Sequence, residues 1–276
     1  MEEFESSRRY AAMVDAAAAQ TTNFGRGGGD AWAERASHFR LDPRREVDVN
    51  TAAVLSLIEP GDTVLDVGGG AGRVALPAAL RCRSVLNVDP SAAMRAEFEA
   101  SAREAGITNA TAIAGNWPEG ADGLAADVVT VSNVTYFVRD IVPFVRALDA
   151  VARRRVIITV WSVAPASQGA ELFELLHGKP RAMAPSYREL LPVLWDLGLM
   201  PDVRVLPGPL RRAGERPPTR EAAIQLALQR GGADQLEGAA ATVEAHFDQL
   251  FESSAEGFLP RWIPPVRELL VTWTRP

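Results

Sequence analysis

Two acidic side chains and the glycine run between them carry the chemistry that this sequence could do. Asp66 lies near the end of the apolar run Val64-Leu65-Asp66-Val67 and is followed at once by Gly68-Gly69-Gly70-Ala71-Gly72-Arg73, while Asp89 ends a second run 21 residues past Gly68. Glycine has no Cβ, so a ligand can approach the backbone there. A helix opening just after it presents unpaired N–H groups to a carboxylate or phosphate. A carboxylate at the end of the second run can accept hydrogen bonds from both hydroxyls of a ribose. Together these features describe a nucleoside-binding crevice. The plainer reading, a tight turn with Asp66 capping a helix, leaves Asp89 and the strand spacing without a role.

Something regular must hold those residues in place, and the middle of the chain alternates two periods. Short Val- and Ile-rich runs at Thr63 to Val67, Ser84 to Val88, Thr111 to Ala114, Asp127 to Val131 and Val156 to Val160 are separated by Ala- and Arg-rich stretches of helical length. Further strands are expected at Val203 to Leu206 and Leu269 to Trp273. A repeated βα pattern argues for an α/β fold with a doubly wound, mainly parallel sheet and ligands outside the carboxyl ends of its strands. A helix through Glu189 and Leu197 can end at Gly198 in a left-handed cap. Outside the core, the sequence predicts an N-terminal helical lid over 1–49, with a glycine hinge at Gly25 to Gly29 and an amphipathic helix bearing Trp32, Ala36 and Phe39. It also predicts a core over 50–207, and over 208–276 a helical insertion (Arg220 to Phe251) before the closing strand.

The register of the glycines separates two cofactor classes. A dinucleotide fingerprint begun at Gly68 would need glycine where Arg73 stands, and begun at Gly70 it reaches Ala75 but starts late after the strand. The pattern Asp-x-Gly-x-Gly-x-Gly is met in full by Asp66, Gly68, Gly70 and Gly72. This resembles motif I of the class I S-adenosylmethionine-dependent methyltransferases, and the resemblance extends over roughly residues 50 to 207 and the closing strand. An acid before the glycines suits a ligand with an ammonium and a sulfonium, and would oppose a pyrophosphate. The resemblance implies a seven-stranded Rossmann-like sheet, S-adenosylmethionine as cofactor and S-adenosylhomocysteine as product. It implies that Asp89, in Asp89-Pro90-Ser91, holds the ribose, and that Asn116 stands where an acidic residue commonly meets the adenine amino group. Trp117 could pack on adenine or sit in the core. Ser132 and Asn133 fall where the family's methionine end and transferring methyl lie, and Tyr136 either meets substrate there or, with Phe137, roofs the sheet.

Composition narrows the acceptor. The chain has 276 residues, 47% hydrophobic, enough for a full core, and its net charge of −6, with no long basic run, argues against nucleic acid. The short clusters Arg153-Arg154-Arg155 and Arg211-Arg212 suit solvated ends of elements. One cysteine, Cys82, allows neither an internal disulfide nor a metal site, so a reducing compartment is expected, with no signal peptide, no spanning helix and a cytoplasmic location. Enzymes that methylate exocyclic amines of bases typically carry Asn/Asp-Pro-Pro-Tyr after the fourth strand, where this chain has Ser132-Asn133-Val134-Thr135-Tyr136, and arsenic methylation uses several cysteines. A small-molecule acceptor enclosed by the lids, with Trp32, Phe39 and Trp262 as apolar wall, is what remains. Should it be a hydroxyl, His38, His177 and His246 are candidate general bases, alongside Tyr136 as a catalytic candidate. An NAD-dependent oxidoreductase and a non-catalytic S-adenosylmethionine-binding module are the rival readings. Asp89→Ala is expected to weaken S-adenosylmethionine binding by about 1.5–3 kcal/mol with the fold intact, and calorimetry showing unchanged affinity would remove Asp89 from the site.

Overall fold

The computed structural model describes residues 4–22, 30, 32–208 and 216–275. The hinge glycines Gly25 to Gly29, Pro209 and the pair Arg211-Arg212 lie outside the described residues. Nine strands form among those described: β1 (Thr63–Val67), β2 (Ser84–Asp89), β3 (Ala110–Ala114), β4 (Ala126–Ser132), β5 (Ala152–Trp161), β6 (Asp202–Val205), β7 (Phe251–Ser254), β8 (Gly257–Pro260) and β9 (Glu268–Thr274). Seven of them make one sheet in the order β3-β2-β1-β4-β5-β9-β6, parallel except for β9, which runs against both β5 and β6. Strand order reverses at β1, so the carboxyl ends of β1 and β4 open a crevice there.

Ten α-helices accompany them among the described residues: α1 (Glu5–Thr22), α2 (Val49–Leu55), α3 (Ala75–Ala79), α4 (Ala92–Glu104), α5 (Ile141–Val151), α6 (Ala170–His177), α7 (Tyr187–Asp196), α8 (Arg220–Gly231), α9 (Ala239–Ala245) and α10 (Phe247–Leu250). Apolar positions recur at helical spacing. In α5, Ile141, Phe144, Val145 and Leu148 face inward, and in α4, Met94, Phe98 and Ala102 do. One sheet face is covered by α2, α3 and α4, with Val64, Val85 and Val128 beneath them. The other carries α1, α5 and α7 over Leu65, Val67, Val129 and Val131. Because both faces are covered, the central strands are apolar on both sides rather than alternating.

Three expectations are corrected. First, α1 is no lid: Tyr10, 1% exposed, and Val14 belong to the main core, and the Tyr10 hydroxyl donates to the Thr135 carbonyl at 2.6 Å. Second, the β3–β4 connection is not helical. It makes only the short turn Glu119–Ala121 and leaves a cleft of about 430 Å³ over the sheet, bordered by Leu65, Leu86, Thr111 and Leu124. Third, the helical insertion is not one helix but α8, α9 and α10, with left-handed glycines at Gly232 and Gly238 between the first two, and it ends in the β7–β8 hairpin. It shares a separate core of Ala227, Val243, Phe247 and Trp262 with Leu172 of α6. The cap is thus assembled from two stretches, one after β5 and one between β6 and β9.

Tyr10→Phe is expected to lower the unfolding free energy by about 0.5–1.5 kcal/mol, since the Thr135 carbonyl loses the hydroxyl and keeps only the Val138 N–H as donor. A chemical denaturation curve measures this; a helix hanging free as a lid would give no change.

Candidate functional site

The site begins as a row of polar side chains across three buried strands. Asp66 pairs in register with Asn87 on β2 and Thr130 on β4, and each is 1% exposed or less. The Thr130 hydroxyl donates to Asp66 Oδ1 at 2.7 Å, and the Asn87 amide donates to the Gly70 carbonyl at 2.9 Å. Two buried acceptors remain without a donor, Asp66 Oδ2 and Asn87 Oδ1. Both converge on Gly69, where an added Cβ would stand 2.3 Å from the first and 2.7 Å from the second. Burial pushes the Asp66 carboxyl up to about 6, and Asp89 pushes the same way, against the Thr130 bond and the nearby Arg73 charge.

The glycines form a cradle over that row. Gly68, Gly70 and Gly72 have φ of 67°, 56° and 88°, a region that costs L-residues about 1–2 kcal/mol. A Cβ at Gly68 would collide with Val134 at 2.7 Å, so the β1 loop touches the turn after β4, and one at Gly72 would strike Leu76 and Phe98. Asp89 ends β2 with Oδ1 accepting from the Ser91 N–H at 2.8 Å and Oδ2 from the Gly70 N–H at 2.9 Å. Burial raises it above the ordinary carboxylate range, opposed by those two bonds and by Arg95. Pro90 is exposed beside it. The segment 30–40 lies across this end: Asp30 Oδ2 accepts from the Ser91 hydroxyl at 2.7 Å, Ala36 packs with Ala71 and Met94, and the Trp32 ring meets Phe137 at 6.1 Å and Phe39 at 5.7 Å. Trp32 therefore reaches from the Asp89 side to the turn after β4.

After β4 the chain turns through Asn133, held at φ 61°. Its Oδ1 accepts from the Tyr136 hydroxyl at 2.9 Å, and its Nδ2 donates to Glu268 Oε1 at 3.1 Å. Ser132, half-buried, ends β4 alongside Thr159 of β5.

Several expected residues lie elsewhere. Trp117 is a core residue, its indole N–H donating to the Phe144 carbonyl at 3.2 Å, because the short β3–β4 connection turns it under α5. Asn116 is exposed just past β3. Tyr136, 2% exposed, has its hydroxyl committed to Asn133 and to the Trp161 N–H at 2.5 Å, so it positions rather than reacts. His177 is drawn away from the crevice, its Nε2 bonded to the Gly231 carbonyl at 2.9 Å and its ring against Phe173. His246 Nδ1 faces the Thr242 carbonyl on α9. His38 is exposed on the covering segment. Sequence reasoning missed Asn87, Thr130, Arg73 and Glu268. Asn87 was legible as the one amide in a Val-rich strand.

Against known proteins, residues 64–154 match the family model for a methyltransferase domain. No curated protein matches the chain. Among solved structures, the YcgJ protein of Bacillus subtilis has a TM-score of 0.52 and 17% identity over 82% of this chain and 97% of its own. A SAM-dependent methyltransferase from Geobacter sulfurreducens, in complex with S-adenosyl-L-homocysteine, gives 0.52 at 15% identity, over 88% and 97%. One from Thiobacillus denitrificans with the same ligand gives 0.51 at 13%, over 87% and 96%. At these identities the likeness speaks for the fold. Among the described residues no helix is long and apolar enough to cross a membrane.

The donor set fits the cofactor that the resemblance implies. The buried Asp66 carboxyl beneath Gly69 favours an ammonium above the loop, the glycine cradle admits a close ligand, and Asp89 suits vicinal hydroxyls. Because its folded pKa is raised from 3.8 to about 6, Asp66 contributes stability below the first value that is lost as pH rises through the second. Asp66→Asn keeps the bond from Thr130 and can place an N–H toward Asn87 Oδ1. The variant is expected to be more stable than the parent by on the order of 2–3 kcal/mol at pH 7.5, yet to bind S-adenosylhomocysteine more weakly. Denaturation between pH 4 and 8 checks this, and a stability gap that does not widen with pH would refute the burial of an ionised Asp66.

Proposed function

We propose that this chain, whose residues 64–154 match a methyltransferase domain, moves the methyl group of S-adenosylmethionine to a small-molecule acceptor held between the strand tips and the cap. The observation that carries this reading is the buried Asp66 carboxyl beneath a cradle of left-handed glycines, with Asp89 at the end of the neighbouring strand. S-adenosylmethionine supplies an electrophilic methyl on a sulfonium, poised for in-line displacement.

The residues of the chain then bind, orient and exclude water. The buried Asp66 charge beneath Gly69 favours the methionine ammonium above the loop, and Asp89 takes the ribose hydroxyls. Pro90 lines the ribose edge and Asn116 offers its amide to the adenine amino group. Ser132 and Asn133 wall the methyl end, with Tyr136 fixing the Asn133 amide. Trp32, Phe39 and Phe137 form an aromatic rim through which the acceptor enters. Holding an acceptor in line can supply a large part of the rate without a covalent intermediate. His38, exposed on that rim, is the histidine placed to take a proton from a hydroxyl acceptor.

A small acceptor is favoured because segment 32–40 covers the glycine-loop end of the crevice, where Ala36 packs on Ala71 and Met94. Nicotinamide chemistry is disfavoured by Asp66, whose carboxylate would face a pyrophosphate. The test is incubation with S-adenosylmethionine labelled in the methyl group and pools of small hydroxyl, amine, thiol and carbon acceptors, with protein and nucleic acid as separate arms. Label is expected in a small molecule, with one S-adenosylhomocysteine formed per methyl moved. Label in a macromolecule only would overturn the small-acceptor reading, and S-adenosylmethionine binding without turnover would favour a silent module.

A further inference from the structure

Glu268 is a carboxylate of which only 4% is exposed, at the start of β9, opposite Trp161 at the carboxyl end of β5. It therefore sits on the same edge of the sheet as the crevice. Burying a carboxylate is costly unless it is paired and hydrogen-bonded, and its partners come from every wall of that edge. Oε1 accepts from Asn133 Nδ2 in the turn after β4 at 3.1 Å and lies 3.8 Å from the Arg73 guanidinium at the end of the glycine loop. Oε2 accepts from Asn50 Nδ2 of α2 at 2.9 Å. Asn50, 5% exposed, in turn accepts from the Gly208 N–H through Oδ1 at 2.8 Å. Arg73 reaches α2 as well, donating to the Thr51 hydroxyl at 3.3 Å.

A carboxylate only accepts, and that fixes the polarity of the whole chain of bonds. Asn133 must present Nδ2 to Glu268, so its Oδ1 faces Tyr136; Tyr136 must then donate to Asn133 and accept from the Trp161 N–H. A neutral amide in place of Glu268 would leave the Asn133–Tyr136 bond free to reverse, while the Trp161 N–H still donates to Tyr136.

We infer that Glu268 is a positioning residue for the methyl-transfer site: through Asn133 and Arg73 it holds the turn after β4 and the glycine loop at one separation and locks the Asn133–Tyr136 pair in one hydrogen-bonding direction. This rests on the reading that the crevice binds S-adenosylmethionine. Glu268→Gln keeps the shape of the side chain but puts an N–H against either Asn50 Nδ2 or Asn133 Nδ2. The double variant Asn50→Asp with Glu268→Gln restores the polarity. The carboxylate newly placed on α2 then accepts from both the Gly208 N–H and the amide newly placed on β9. That leaves the oxygen of the β9 amide to accept from Asn133.

The experiment is calorimetric titration of S-adenosylhomocysteine into the full chain and both variants at 20 °C, with circular dichroism confirming that each is folded. Glu268→Gln is expected to bind about tenfold more weakly, and the double variant to recover to within about threefold of the parent. Parental affinity in Glu268→Gln, even with a lowered melting temperature, overturns the inference, because a purely structural role moves stability and not affinity. A double variant as weak as the single one, or loss of folding in both, overturns it too. Failure of the parent itself to bind refutes the reading of the crevice.

Discussion

An ionisable carboxyl sealed beneath a glycine loop sets the terms for its surroundings. Asp66 stands in the middle of a parallel sheet, where flanking strands are apolar on both faces and water has no access. Its charge is therefore opposed by burial and supported by one hydroxyl and the Arg73 guanidinium. The residues around it make sense as responses to that condition. Thr130 and Asn87 share its row, Gly69 above it has no Cβ to clash with its oxygen, and the left-handed glycines on either side keep the loop close. A fold optimised for stability alone would place Val or Ile there. Retaining a buried acid there gives up free-protein stability for a negative charge close beneath the place of a cation, the usual exchange at binding sites.

Glu268, another buried acid, lies beside the same guanidinium. Asp66 and Glu268 both feel the charge of Arg73, which serves each of them. One guanidinium at the end of the glycine loop thus links the row under β1 to the turn after β4 and to α2. Coupling of this kind needs no moving wire: the hydrogen bonds from Asn50, Asn133 and Tyr136 are short and orient the side chains that make them. The crevice is narrow because its walls touch at Gly68 and Val134 and are tied at Glu268. Over the top, the segment bearing Trp32 meets the glycine loop through Ala36 and the turn after β4 through the Trp32–Phe137 ring contact, so an aromatic layer lies above a polar one.

The strands and the first two site acids were legible because their signals are local. A Val-rich run ending in Asp and then glycines announces both the element and its purpose, and the positions of β1, β2 and β4 follow within a residue or two. What escaped the sequence depends on register and on distant chain segments. Glu268 reads as the polar first residue of an apolar strand, and only the antiparallel pairing of β9 with β5 carries it to the crevice. Trp117 follows a strand just as Asn116 does, but a connection without a helix turns its indole under α5. Tyr10, in an alanine-rich helix, gave no sign that its hydroxyl would meet a carbonyl 125 residues away. Histidines were misplaced for a different reason: their type suggests proton transfer, whereas their neighbours decide whether a ring nitrogen is free.

That last point bears on how the acceptor is activated. A backbone carbonyl can only accept, so His177 Nε2 and His246 Nδ1 carry their protons and donate them to Gly231 and Thr242. Both bonds lie within the α6, α8 and α9 cap, where the first joins two distant stretches and the second stays at the end of α9. Tyr136 likewise directs its proton to Asn133. The inner wall of the crevice therefore offers orientation and charge rather than a strong base, and the exposed His38 belongs to the rim. Displacement from a sulfonium is well matched to such a wall, since its leaving group departs as a neutral thioether and the largest remaining demand is alignment. An acceptor whose nucleophile loses its proton to water, or has none to lose, suits the inner wall. An alcohol would need the rim histidine brought over it by the segment that carries Trp32.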